Sequence, residues 1–284
     1  MLDPEIQLLL PWHKSLIIRF VFLDLIRGKV DRSIKWLEDN YDSLGDDLKA
    51  LLRSLKQFLA GEDIDVGESG TLLRFWRYYL LTIGDDRQII VRRTARKRQF
   101  YRGTDVINMT DHQLLMLDNG TSQWASIAAL CGRITRPAGE LPGHLELTFN
   151  AIKLWQDAEF YEEMWPARKD RYITEMVEAW LEWHRTGIMK LRIDNAEKAF
   201  FGAMFGLITP EEAYQQFPQM VHHESNRIKA MKRYRHRWWF VVGSRDHRVV
   251  QGLAMRGRRC VFLHRRCVNK TWPQFWKLMS LVLT

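Results

Sequence analysis

The stretch that decides the reading is "GESGTLLRF", residues 67–75. Two glycines within four residues predict a tight turn, and the apolar run behind them predicts a helix that carries Arg74 about one turn in. Such a turn either caps a helix or holds a phosphate or carboxylate against the free N–H groups and positive dipole end of that helix. Taken alone it is more often structural. Its neighbours along the chain have to decide.

The chain has 284 residues, 46% of them hydrophobic and 12% aromatic. That is enough to bury a sizeable core, in two domains or one large one, and it excludes an intrinsically disordered chain. A formal charge of +9 favours anionic partners: phosphorylated metabolites, carboxylates, nucleic acid or an anionic membrane. The three cysteines, at 131, 260 and 267, lack disulfide-framework spacing, and a reducing cytoplasm is the expected setting. Cys260, His264 and Cys267 lie close together, but no fourth ligand at finger-like spacing accompanies them. The start of the chain lacks a basic segment and a small-residue cleavage site, so no signal peptide is expected. The most apolar run, "SLIIRFVFLDLI" (15–26), is interrupted by Arg19 and Asp24 and is too short to span a bilayer. A soluble protein is expected.

On either side of the turn, helices alternate with short strands. Residues 15–27 read as a buried helix and 46–59 as an amphipathic one with aspartates at its start. A helix follows the 67–70 turn, then a strand over 87–93. Residues 120–132 read as a loop entering a short apolar helix that ends at glycine, and 144–155 as an alternating segment that turns helical. Further helices are expected over 172–183, 195–206, 209–217 (Thr209 as N-cap, Pro210 first), 224–234, 246–255 and 272–282, with strands at 237–243 and 259–264. This is an α/β or α+β pattern.

Several helix starts pair exposed N–H groups with a cation. Lys14 and Ser15 precede Arg19; Gly70 and Thr71 precede Arg74; "GTSQ" offers Thr121, Ser122 and Gln123; "DHR" brings Arg248; "NKTWP" brings Lys270. One such start is an ordinary cap. Several facing one cleft form a pocket for a multiply anionic ligand.

Read in order, these segments resemble the enolpyruvyl transferase family, the EPSP synthases (3-phosphoshikimate 1-carboxyvinyltransferases). "PWHKSLIIR" looks like the family's opening Lys-Ser motif with its following arginine, and "GESGTLLR" like its Gly-Asn-Ala-Gly-Thr-x-x-Arg turn. "ARKRQF" resembles the arginine segment after the next strand, and "TSQ" the Ser-Ser-Gln motif. "IDNAEKAFFGAMFG" resembles the Ile-Pro-Asp-Ala helix start, "HESNR" the Lys-Glu-Ser-Asp-Arg motif, "DHRVVQGLAM" the Asp-His-Arg helix and "CVNKTWPQFW" the last motif. The markers run from residue 11 to 277.

The resemblance implies a two-domain fold of repeated βαβαββ units. Residues 13–188 would form the N-terminal domain, and 189–284 with 1–12 a shortened C-terminal one. It implies transfer of the enolpyruvyl group of phosphoenolpyruvate to a hydroxyl of a phosphorylated cyclic acceptor, shikimate 3-phosphate, in aromatic amino acid biosynthesis. No metal or organic cofactor is implied. Asp194 would be the base at the hydroxyl, with Glu224 and Lys14 moving the proton at the donor's methylene carbon. Lys14, Ser15 and Arg19 would hold the acceptor's phosphate and the donor, and Thr121, Ser122 and Gln123 the acceptor's phosphate. Gly70, Thr71 and Arg74 would hold the donor's phosphate and carboxylate. Arg74, Arg98, Arg227, Arg248 and Lys270 would clamp the anionic groups and the charge of the addition intermediate, with His223 as a further substrate-binding hydrogen-bond donor.

The chain departs from the pattern at Glu68 for Asn, Gln99 for Pro, His223 for Lys and Asn226 for Asp, and it is compressed between 155 and 194. Two other readings stay open at this point. One is a non-catalytic anion-binding member of the family. The other is a nucleic-acid-binding protein, for which "RIKAMKRYRHRWW" and "RGRRCVFLHRR" mix basic and aromatic residues.

Overall fold

The computed structural model describes residues 2–92, 105–157, 169–217, 227, 239–257 and 259–283. Among them the chain is mostly helical with a few short strands, a mixed α/β fold. It divides into two compact units, His13–Ala167 and Met1–Trp12 with Arg168–Thr284.

In the His13–Ala167 unit, α2 (Lys14–Ile26) is buried from Leu16 to Leu25, as expected of a helix apolar on nearly every side. Helix α3 (Val30–Asp39) follows, then α4 (Asp46–Leu59). Helix α4 buries Leu48, Leu51, Leu52 and Leu55 on one stripe, with Asp46 and Asp47 at its start and Lys56 near its end. Strand β1 (Ile64–Gly67) pairs in parallel with β2 (Ile89–Val91), matching Ile64 to Ile89 and Asp65 to Ile90. Parallel neighbours need a crossover, and α5 (Gly70–Ile83) supplies it before stopping at Gly84, where φ is 72°. An aromatic cluster seats α5 on α2: Phe22 meets the edges of Phe75 and Trp76 at centroid distances of 5.2 and 5.1 Å. The Trp76 indole donates to Ser54 Oγ at 2.8 Å, which satisfies its one buried donor.

Helices α6 (Asp105–Asn108), α7 (Asp111–Gly120), α8 (Gln123–Leu130) and α9 (Gly143–Gln156) complete this unit. Residues 144–155, expected to alternate before turning helical, are helical throughout. Leu145, Thr148, Phe149 and Ala151 are the buried positions, so the local alternation is contained within a helical stripe. Strand β1 has no sequence signal of its own. It is four residues long and carries a buried aspartate, Asp65, balanced by Arg53 at 3.4 Å and by Arg92.

The second unit contains α1 (Pro4–Leu9), α10 (Arg171–Thr186), α11 (Ala196–Phe205), α12 (Pro210–Gln216), β3 (Trp239–Val242), α13 (His247–Met255), β4 (Arg259–Phe262), a 3₁₀ turn (Arg265–Lys270) and α14 (Phe275–Leu283). Strands β3 and β4 are parallel, with α13 as crossover, so a β-α-β element occurs in each unit. Ile173, Met176, Val177 and Trp180 of α10 are buried in this unit's core beside Phe200, Leu253 and Trp272. The unit boundary therefore lies at 167/168, whereas the sequence reading set it at 188/189. Two indoles fasten the ends of the unit: Trp272 donates to Leu9 O and Trp180 to Met255 O, each at 2.7 Å.

No helix among the described residues is long and apolar enough to cross a membrane. Burial pushes the Cys131 thiol up to about 12 and the Cys267 thiol up to about 11. Among the described residues no group of three His, Cys, Asp or Glu side chains is gathered for a metal ion. The expected helix over 224–234 lies, apart from Arg227, outside the described residues.

The glycine that the 67–75 turn requires is Gly67. Its φ is +60°, and an added Cβ would sit 3.4 Å from Arg53 Nη2. Left-handed backbone disfavours a Cβ by roughly 1–2 kcal/mol. Gly67→Ala should lower the denaturation free energy of the chain by about that amount, read as a shift in denaturant midpoint at constant slope. An unchanged midpoint would contradict this.

Candidate anion site

The turn after β1 is built by three residues. Gly67 N donates to Asp65 Oδ1 at 2.9 Å, the chain reverses, and Ser69 caps α5 by accepting from Leu72 N at 3.5 Å. Ser69 is therefore the N-cap, and Gly70 and Thr71 are the first two helical residues. Arg74 follows one turn later and is 7% exposed. Its Nη1 donates to Gly70 O at 2.8 Å and to Gln123 Oε1 at 2.9 Å, and its Nε donates to Asp118 Oδ2 at 2.6 Å. The same carboxylate oxygen accepts from Trp124 Nε1 at 3.0 Å. Two segments that the sequence singled out separately thus meet side chain to side chain, across 49 residues.

The backbone between Asp118 and Gln123 is strained. Asp118, Gly120 and Ser122 have φ of 54°, 71° and 53°. Two non-glycine residues in the left-handed region store of order 1–3 kcal/mol each, and such strain gathers at functional sites. Ser122 stands at the N-cap of α8 without a side-chain cap bond. The Thr121 hydroxyl oxygen is buried and makes no hydrogen bond. Gln123 opens the helix toward Arg74. Asp118 is the member of this group that sequence reasoning missed. Its "DNG" context reads as a turn, and nothing local ties it to Arg74.

Arg19 stands apart. Its side chain is fully buried, with Nε donating to Thr148 Oγ1 (2.7 Å), Nη1 to Ser15 O (2.7 Å), and Nη2 to His144 O (3.0 Å) and Ser126 Oγ (3.4 Å). Burial pushes its guanidinium down to about 9, which still leaves it charged at neutral pH. A ligand cannot reach it. Arg19 is an internal tie between α2, α8 and α9, and this corrects its assignment to substrate. Ser15 contributes its carbonyl to that tie. Lys14, half-buried at the start of α2, donates to Asp47 Oδ2 at 2.8 Å, an ion pair between the first turns of α2 and α4.

In the second unit, Arg227 Nε reaches Asp246 Oδ2 at 3.1 Å, joining the 223–227 and 246–248 segments. Asp246 also caps α13 by accepting from Arg248 N at 2.9 Å. Arg248 is buried with its guanidinium 6.0 Å from the Phe201 ring, and Lys270 ends the 3₁₀ turn that packs on α13. Asp194 precedes α11 and pairs with Lys198 at 3.0 Å. Burial raises its carboxyl, but hydrogen bonding and charge from Lys198, with Arg192 beyond, outweigh this and hold it below the usual carboxylate range. Asp194 is thus ionised at neutral pH. A cavity of about 730 Å³ lies between α1, α10 and the chain before Asp194, with Asp3, Ile6, Glu175, Glu178 and Arg192 among its lining. Arg98, His223 and Glu224 lie outside the described residues.

Chemically, the described residues offer a strained helix start with a guanidinium and an amide in register, and an ionised aspartate beside a lysine. The first suits oxyanion recognition and the second suits proton acceptance.

Replacing Arg19 by methionine tests its internal role. Each buried acceptor left without a donor costs about 1–3 kcal/mol, so Arg19→Met should destabilise the chain by on the order of 3 kcal/mol. A folded variant of unchanged melting temperature would return Arg19 to the ligand-binding set.

Comparison with protein-family models, with curated proteins and with solved structures finds no match for this chain.

Proposed function

We propose that this chain is an enolpyruvyl transferase. It moves the enolpyruvyl group of phosphoenolpyruvate to a hydroxyl of shikimate 3-phosphate and releases phosphate, on a two-domain enolpyruvyl transferase fold with a shortened C-terminal half. The observation that carries this reading is the Arg74–Gln123 hydrogen bond. It joins the two motifs that the resemblance assigns to neighbouring substrates, at a strained helix start with Thr121 alongside. The Arg227–Asp246 contact joins two further motifs in the same way.

In this reading the acceptor hydroxyl adds to C2 of phosphoenolpyruvate as C3 takes up a proton. The tetrahedral adduct then loses phosphate as C3 gives a proton back. Asp194 takes the hydroxyl proton. Glu224 and Lys14 serve C3, and Lys14's ion pair with Asp47 fixes where its ammonium can reach. The resemblance assigns the phosphates and carboxylates to Arg74, Arg98, Arg227, Arg248 and Lys270, and a further hydrogen bond to His223. Cations held in place before the reaction stabilise such an adduct without reorganising.

A second reading, a family member that binds anions without catalysis, draws on a specific observation. Arg19 is sealed inside the protein, and Arg74 already has Asp118 as counter-ion.

Phosphate release from phosphoenolpyruvate in the presence of shikimate 3-phosphate separates the two. The transferase reading expects turnover in the wild type. It expects a fall of about 10²–10⁴-fold in Asp194→Ala, the range for loss of an acid–base group, and a comparable fall in Lys14→Ala, both in chains that still fold. Binding of both ligands without phosphate release supports the second reading. Turnover unchanged in both variants overturns the roles given to Asp194 and Lys14.

A further inference from the structure

Lys198 was not singled out by any motif, yet it is among the few buried cations described. It lies one turn into α11 from Asp194, and the residue is 3% exposed. Its ammonium lies 3.0 Å from Asp194 Oδ1 and donates to Oδ2 at 3.2 Å. On its other side it pairs with Glu175 of α10, and it sits 5.7 Å from the Tyr172 ring. Glu175 is itself held by Arg171 at 2.8 Å. Asp194, by contrast, has a side chain 41% exposed. One partner of this pair is fixed in the protein, and the other reaches solvent.

We infer that Lys198 is a positioning residue. Clamped from behind by Glu175, it fixes the direction and the charge of the Asp194 carboxylate. The inference rests on the reading of Asp194 as the base. The physical case is one of restraint. An aspartate just ahead of a helix has two free χ angles and, if solvated, samples several rotamers. Here both its oxygens are engaged by one buried ammonium that is also tied to Glu175, so a retreat would break ion pairs on both sides of it. Asn195 Nδ2 donates to Asp194 Oδ1 at 2.9 Å, and Arg192 lies 3.9 Å from Oδ2, so rotation is opposed from both sides.

The charges around the pair are Arg171 and Glu175 from α10, Arg192 from the preceding chain, and Asp194 and Lys198 themselves. On the other faces of α11, Glu212 of α12 is engaged by the Thr209 cap, and Arg248 of α13 lies against Phe201. Three cations therefore face two carboxylates. Burial lowers the Lys198 ammonium, but its hydrogen bonds to Glu175 and Asp194 outweigh this and hold it above its ordinary range. Both members of the pair stay charged through neutral pH. Glu175 and Arg192 also line the 730 Å³ cavity, so the supporting residues border open space.

The test uses the full-length chain with two variants, Lys198→Met and Glu175→Gln, and Lys198→Arg as the conservative control. Two readouts are taken. One is the acid limb of the pH profile of phosphate release. The other is direct titration of the Asp194 carboxyl by ¹³C NMR, which needs no activity. In Lys198→Met the Asp194 titration should move up toward or above the ordinary carboxylate range. The acid limb should follow it, and kcat should fall by about 100-fold, the scale expected for a misplaced catalytic group, with KM little changed. Lys198→Arg should restore most of both. Should Lys198→Met not fold, Glu175→Gln decides: with one negative charge fewer beside it the Asp194 titration moves further down, while the unclamped ammonium no longer fixes the carboxylate's direction and kcat falls. An Asp194 titration unmoved in both variants overturns the proposal, whatever the activity. A wild type that releases no phosphate overturns the transferase reading instead, and the titration still decides whether Lys198 holds Asp194.

Discussion

The guanidinium of Arg19 is the constraint on which the His13–Ala167 unit is arranged. It sits fully buried on a helix that is apolar on nearly every side. A buried cation is tolerated only where its N–H groups find acceptors. The acceptors here come from three places: the carbonyl of Ser15 one turn back, the start of α9 through His144 and Thr148, and Ser126 of α8. Helix α8 cannot slide along α2 without breaking this set. Asp24, five residues further along α2, works the same way with the Ser33 hydroxyl at 2.6 Å and the Trp155 indole at 2.8 Å. Together the two buried side chains fix the register of α3, α8 and α9 on one helix.

The position of α8 in turn determines what its first residue can touch. Gln123 meets Arg74 because α8 is held by Ser126 and because α5 is seated on α2 through Phe22, Phe75 and Trp76. The left-handed residues at 118–122 are the local consequence of joining α7 to a helix that cannot move. The second unit follows a similar logic with different residues. Packing of α11 on α10 buries Lys198 and leaves Asp194 at the surface. In both units a polar group that faces outward is aimed by one that does not.

Most helices were legible in the sequence because their signals are local. The leucine stripe of α4, the Thr209–Pro210 start of α12 and the glycine after α8 are readable within one or two turns. Strand β1 was not, since four residues with a buried aspartate carry no alternation that a strand would need. Residues 144–155 misled for a related reason: "HLELT" satisfies period two and a helical stripe equally, and the tertiary bonds of His144 and Thr148 decide between them. Arg19 and Asp24 show the deeper limit. In sequence they are interruptions that argue against a membrane span; their partners lie up to 131 residues away. The candidate site divides in the same way. Gly67, Arg74 and Gln123 sit in recognisable motifs, whereas Asp118, Asp47, Glu175 and Lys198 matter only through contacts that no spacing announces.

The central claim is that Arg74 serves an anionic ligand while Arg19, drawn from an equally motif-like segment, serves the fold. The side-chain Nε–H resonances of the arginines, followed by ¹⁵N–¹H NMR during titration with phosphoenolpyruvate and shikimate 3-phosphate, test both halves at once. The account predicts that the Arg74 resonance shifts saturably, while the Arg19 resonance stays in place and its proton exchanges slowly with solvent. An Arg74 resonance indifferent to both ligands, or an Arg19 resonance that follows them, would contradict it.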